Sequence, residues 1–171
     1  MKSCLCLLAA LFAASPLFAA DYQEISWDDL MPSGWNPMKA ISDLKLNKLK
    51  DSDPKAMEVM DKIKAMWSEA PTNPEIAGKA VRLQGFMVPL EFGKKEIKEF
   101  LLVPYFGACI HVPPPPANQI VHVVPDKPVP VTTGMDVVWV EGVIETVDSH
   151  TGLGDSGYHL QATKVEPDRQ R

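Results

Sequence analysis

Cys109 and His111 lie two residues apart in the stretch Tyr105-Phe106-Gly107-Ala108-Cys109-Ile110-His111-Val112-Pro113-Pro114-Pro115-Pro116-Ala117-Asn118-Gln119. In extended backbone, residues i and i+2 project from the same face. A thiolate and an imidazole on one face make half of a transition-metal site, and zinc or copper suits the pair. Two ligands do not complete such a site. Glu91, His122, His150 and His159 are the further candidates. His122 is favoured, because a chain returning through Asn118-Gln119 can set its strand beside Phe100–Pro104. Two other readings stay open. Cys109 can be a small buried hydrophobe with His111 a hydrogen-bonded loop residue, free cysteine being among the most often buried residue types. It can also be a nucleophile activated by the imidazole. Oxidoreductases that work through Cys-X-X-Cys need a partner cysteine, however, and a hydrolase needs an oxyanion donor and an orienting group that nothing here marks out.

The same loop reads equally as a docking surface. Pro113, Pro114, Pro115 and Pro116 lack amide donors and favour a stiff polyproline conformation, which makes a rigid rim at little entropic cost. Tyr105 and Phe106 beside that rim, with Asn118 and Gln119 closing it, suit a protein partner. Elsewhere the chemistry-bearing residues read as structural. Met57 and Met60 share a helical face with Ile63, as core residues do, and no His-rich loop surrounds them to suggest copper binding. Asp28-Asp29 and Asp51/Asp53 suit helix starts better than general acid-base work. Trp27, Trp35, Trp67 and Trp139 read as packing residues, with Trp35 in its Gly/Pro-flanked loop also able to face a partner.

The elements that must position these residues fall into two groups. Residues 20–76 read as a helical N-terminal extension. Ser26 can cap a short turn over Trp27–Leu30 that Pro32 stops, and Met38–Lys50 carries apolar residues at near-helical spacing. Asp53 and Pro54 open a second helix in which Met57, Met60, Ile63 and Trp67 recur every three to four residues. From Lys79 onward the period changes to two. Lys79–Val88, Phe100–Pro104, Ile120–Val124, Asp136–Thr146 and Tyr158–Val165 read as strands, separated by Gly- and Pro-rich turns. Five short strands after a helical lead predict a mainly β fold. The expected form is a small five-stranded barrel of the oligonucleotide/oligosaccharide-binding (OB) kind over 77–171. Such a fold does not name a ligand.

The first twenty residues, MKSCLCLLAALFAASPLFAA, place one cation at Lys2, an apolar run from Leu5 to Ala14, then Ser15-Pro16 and small residues before Asp21. This is the order of a secretory signal peptide, and the run is too short to span a bilayer. Residues 1–19 are therefore expected to be cleaved, leaving a periplasmic protein with no membrane span and with Cys109 as its single cysteine. The chain carries 17 Lys+Arg against 22 Asp+Glu. An acidic balance argues against a nucleic-acid partner, which calls for a basic patch.

Three strings together carry a resemblance. They are Trp27-Asp28-Asp29-Leu30-Met31-Pro32, then Gly85-Phe86-Met87-Val88-Pro89-Leu90-Glu91, and then the run from Glu99 through Cys109-Ile110-His111-Val112-Pro113-Pro114-Pro115-Pro116 to Gln119. With Val138-Trp139-Val140-Glu141-Gly142 they resemble the bacterial domain-of-unknown-function family 3299 over about Ile25 to Val165. The resemblance implies an exported protein associated with components of an ATP-driven ABC transporter and with metal handling, zinc above all, at the cell envelope. It supplies no ligand set. On this reading Cys109, His111 and His122 are the expected metal ligands and zinc the expected ion. The alternatives are a metal-free adaptor using the same loop and, third, a Cys/His enzyme.

Overall fold

The computed structural model describes residues 21–37, 39, 54–91, 95–108, 114–130 and 136–168. The protein is mainly β. Its strands are β1 (Gln23–Glu24), β2 (Lys79–Pro89), β3 (Glu96–Ile97), β4 (Phe100–Val103), β5 (Val121–Pro125), β6 (Val129–Pro130), β7 (Val137–His150) and β8 (Asp155–Pro167). The helix α1 spans Pro54–Ser68, and short 3-10 turns occupy Trp27–Leu30, Pro74–Ile76 and Ala117–Gln119. The helix read over Met38–Lys50 lies outside the described residues.

The main sheet runs β1-β2-β4-β5-β8-β7, and β2 also pairs with β7, so five strands form a ring. β2 serves two neighbours by dividing its length. Lys79–Phe86 pair antiparallel with β7, and Phe86–Pro89 pair antiparallel with β4. The strand bends where it changes partner. A Cβ on Gly85, at that point, would meet Leu102 Cγ at 2.8 Å, Trp27 Cζ2 at 2.8 Å and the Val103 carbonyl at 2.9 Å. Only glycine leaves room there for the indole, whose Nε1 donates to the Gln84 carbonyl at 2.8 Å. Trp27 is thus the packing residue its sequence context predicts. β7 and β8 pair across two register shifts, one at Glu141/Gly142. Such a bulge sharpens twist and lets a long strand curl.

Period-two burial follows from the pleat. Val81, Leu83 and Met87 of β2, Val138, Val140 and Ile144 of β7, and Tyr158, Leu160 and Ala162 of β8 all enter one core. β4 is buried on both faces. Phe100 and Leu102 join the inner core, while Leu101 and Val103 pack outward with Val88, Ala108 and Ile120. Val143 lies on the outward face of β7, where the alternation runs unbroken through Ile144, and is 41% exposed. One sequence expectation changes here. Met57 and Met60 are 75% and 44% exposed, so the buried side of α1 runs through Ile63 and not through the methionines.

The N-terminal segment is built into this core. Gln23–Glu24 extend the sheet in parallel beside Val81–Arg82, and Ile25, Leu30 and Ile76 are buried with the ring's own residues. Ser26 donates from both its backbone N and its hydroxyl to the Asp29 carboxylate, at 2.7 and 2.8 Å, which holds the carboxyl below its ordinary value. Tyr158 ties segment to ring. Its fully buried hydroxyl donates to the Leu30 carbonyl and accepts from the Asn73 amide, both at 2.6 Å. Burial raises its pKa above the ordinary tyrosine value, the Asn73 hydrogen bond opposing this in part. Tyr158→Phe removes one oxygen and strands a carbonyl and an amide, each costing about 1–3 kcal/mol when unsatisfied. Urea unfolding should show a midpoint lowered by the equivalent of about 2 kcal/mol or more with an unchanged slope; an unchanged midpoint would mean that water replaces the hydroxyl.

Candidate functional site

The loop between β4 and β5 holds most of the sequence-predicted site. Tyr105 and Phe106 leave β4 at the surface, 42% and 65% exposed, and Phe106 meets Phe86 edge-to-face with ring centres 6.0 Å apart. Gly107 turns the chain at φ 82°, a conformation that glycine adopts without strain, and Ala108 is buried again. Cys109, His111 and Pro113 lie outside the described residues. Pro114 is exposed, whereas Pro115 and Pro116 are buried. The described part of the proline run therefore rests on the protein for most of its length, and does not stand free as a rim.

The far end of the loop is pinned by two amides. Asn118 is fully buried, and its Nδ2 donates to the Pro71 carbonyl at 2.8 Å. Gln119 Nε2 donates to the Trp27 carbonyl at 2.9 Å and to the Asn118 carbonyl at 3.1 Å. Residues expected to meet a partner thus tie the loop to the N-terminal segment. Their polarity suggested a surface, but a buried amide with backbone partners looks the same in sequence.

His122, the expected third metal ligand, lies on β5 with its side chain facing outward and mostly covered. Its Nε2 lies 3.0 Å from Glu99 Oε2. With that carboxylate accepting from Nε2–H, the lone pair available to a metal is on Nδ1, as in carboxylate-oriented histidine ligands. The register sets His159 of β8 directly beside His122, with Glu145 of β7 opposite His159. The two imidazoles meet edge-to-face, centres 5.5 Å apart. Period and composition could not reveal this pair, because it depends on the parallel pairing of strands far apart in the chain. His150 stands apart, its Nδ1 2.9 Å from Asp155 Oδ1 near the β7–β8 turn. A cleft of about 520 Å³ lies between His122 and that turn, with Leu90, Glu99, His150 and Leu153 in its walls. Glu91 does not line it among the described residues. Nor, among those residues, is any group of three His, Cys, Asp or Glu side chains arranged to hold a metal ion. The fit of zinc at His122 therefore rests on Nδ1 and on ligands from outside the described residues.

A second cavity, about 390 Å³, opens between α1 and the proline segment. Its described walls include Met60, Ile63 and Trp67 of α1, Pro114 and Pro115, and Gly154 at the β7–β8 turn. The indole Nε1 of Trp67 is buried with no hydrogen-bond partner among the described residues. An unsatisfied buried donor costs about 1–3 kcal/mol, and sequence offers no sign of it.

These features define a small, mainly β protein whose ring of strands carries one long, anchored loop and an outward-facing histidine pair. The chain belongs to the family described as proteins of unknown function, DUF3299, whose model matches residues 27–167. A crystal structure of a DUF3299 family protein from Pseudomonas aeruginosa is 33% identical, with a TM-score of 0.68 over 88% of this chain and 98% of that one. A putative aspartyl-tRNA synthetase from Leishmania major aligns over 77% of this chain and 26% of its own, at 14% identity and a TM-score of 0.34, too weak a likeness to carry an argument. No protein of curated function matches the chain.

Burial is the main cause that lowers the His159 pKa below the ordinary histidine value, the nearby His122 adding to it and Glu145 opposing it. A histidine with a depressed folded value favours folding fully above its unfolded value and loses that contribution as pH falls toward the folded value. Urea stability should therefore decline as the medium is taken below about pH 6.5, and His159→Gln should flatten part of that decline. An unchanged pH profile in the variant would assign the acid sensitivity to other groups.

Proposed function

We propose that this protein is a periplasmic accessory component of a metal-related ABC transport system, with zinc the expected ion, and that it acts through the loop Tyr105–Gln119. The observation that carries this reading is the exposure of Tyr105 and Phe106 at the start of a loop whose end is tied down by Asn118 and Gln119. Large exposed aromatics on a fixed support are what a docking surface needs, because little ordering entropy remains to be lost on binding. The setting is what the family resemblance in the sequence implies, and the apolar run near the N-terminus supports export with cleavage after Ala19.

Within this reading Cys109 supplies a thiolate and His111 an imidazole, with His122 the third ligand through Nδ1 while Glu99 holds Nε2. The proposed scaffold is a five-stranded OB-like barrel. Its support is the pairing order: β2, β4 and β5 form an antiparallel meander, β5 pairs parallel with β8, and β7 lies between β8 and β2. The same exposed aromatics equally favour a second reading, a metal-free adaptor in which Cys109 packs and the loop binds protein alone.

Zinc titration of reduced, tag-free protein separates the two. The metal reading expects one ion per chain and at least a tenfold loss of affinity in the Cys109→Ser/His111→Ala variant, with a smaller loss in Glu99→Gln. Equal zinc affinity in wild type and double variant would sink it. The adaptor reading would then rest on loss of transporter binding in Tyr105→Ala/Phe106→Ala.

A further inference from the structure

The cavity between α1 and the proline segment has the size and lining of a ligand site. Its volume of about 390 Å³ falls within the range of pockets that enclose small organic molecules. Carbon dominates its walls: Met60, Ile63 and the Trp67 indole from one side, Pro114, Pro115 and Ala117 from the other. Met57, one helical turn before Met60, is 75% exposed and extends the apolar surface along α1 beyond the cavity. Water gains little from such walls, whereas a hydrocarbon gains the full benefit of burial.

The polar groups of the lining decide what else the ligand carries. Ser68 Oγ donates to the Ala65 carbonyl at 3.1 Å. Asp155 lies 2.9 Å from His150 Nδ1, so its carboxylate has a partner. Two groups are left. Among the described residues, Trp67 Nε1–H is buried without a hydrogen-bond partner, and Lys64, on the exposed side of α1, has no ion pair or hydrogen bond. Both are donors and one is cationic. An apolar chamber with a cation in its lining, and with the lining carboxylate of Asp155 held by His150, is matched by a hydrocarbon chain or ring that ends in an oxygen anion.

We propose that this cavity binds a small apolar monocarboxylate, with its hydrocarbon between α1 and Pro114–Pro115 and its carboxylate directed to Lys64. The site is separate from the metal ligands considered for the loop, though Pro114 and Pro115 belong to both surroundings. Occupancy would brace the proline segment against α1 and so stiffen the loop from its inner side.

The test is calorimetric titration of the full chain with octanoate and, as a neutral counterpart, 1-octanol. Wild type should bind one octanoate and bind octanol roughly tenfold more weakly, the difference expected for a charge-assisted hydrogen bond. Lys64→Met should remove that preference by weakening octanoate alone, and Met60→Trp, which fills the cavity from an exposed position, should abolish both. Thermal melting of the two variants verifies folding, and neither substitution touches a buried residue. Absence of octanoate binding to wild type overturns the proposal. So does binding that Met60→Trp leaves intact, and octanol binding as tight as octanoate overturns the carboxylate assignment.

Discussion

β2 has to pair with two strands, and the rest of the structure follows from how it does so. Lys79–Phe86 lie against β7 and Phe86–Pro89 against β4, so the sheet turns back on itself at Gly85. Closing the ring removes the exposed edge that an open sheet of this size would leave. It also leaves a concave spot over Gly85, which Trp27 fills. Trp27 in turn offers its carbonyl to Gln119, so the bend in β2, the N-terminal segment and the end of the β4–β5 loop are held by one indole and its backbone.

Tyr158 makes the equivalent connection on the other side. Its ring belongs to the core of β8, while its hydroxyl reaches both Leu30 and Asn73. Asn73 passes the connection on, donating from Nδ2 to the Asp29 carbonyl at 2.8 Å and accepting the Glu75 amide. The Tyr158 hydroxyl is fully buried, so the Leu30 carbonyl and the Asn73 amide cannot exchange it for water without loss. Residues 21–37 are therefore structural, even though they contribute a strand of only two residues.

The functional surfaces follow from the same frame. β4 is covered on its outer face by the loop that leaves it, so Leu101 and Val103 are buried and the loop lies close against the ring. That leaves the aromatic pair Tyr105–Phe106 exposed at the first turn. On the adjoining strands, parallel pairing of β5 and β8 brings His122 and His159 together under the carboxylates of Glu99 and Glu145. The two rings meet edge-to-face, and burial beside His122 holds His159 below the ordinary histidine value.

The sequence by itself determined the strand positions, the turn at Trp27–Leu30, α1 and the family, because period two, period 3.6, capping residues and a long unusual string are all local properties. The five predicted strands correspond to β2, β4, β5, β7 and β8 with shifts mainly at their ends. The small strands β1, β3 and β6 were not legible, since two residues carry no period. Tertiary structure alone decided which face of α1 is covered and that Asn118 and Gln119 act as ties. It also decided that His122 meets His159 and that, among the described residues, the Trp67 indole N–H has no partner. Each of these depends on register or packing between segments distant in the chain, and an isolated amide, imidazole or methionine reads the same in sequence whether it is buried or exposed.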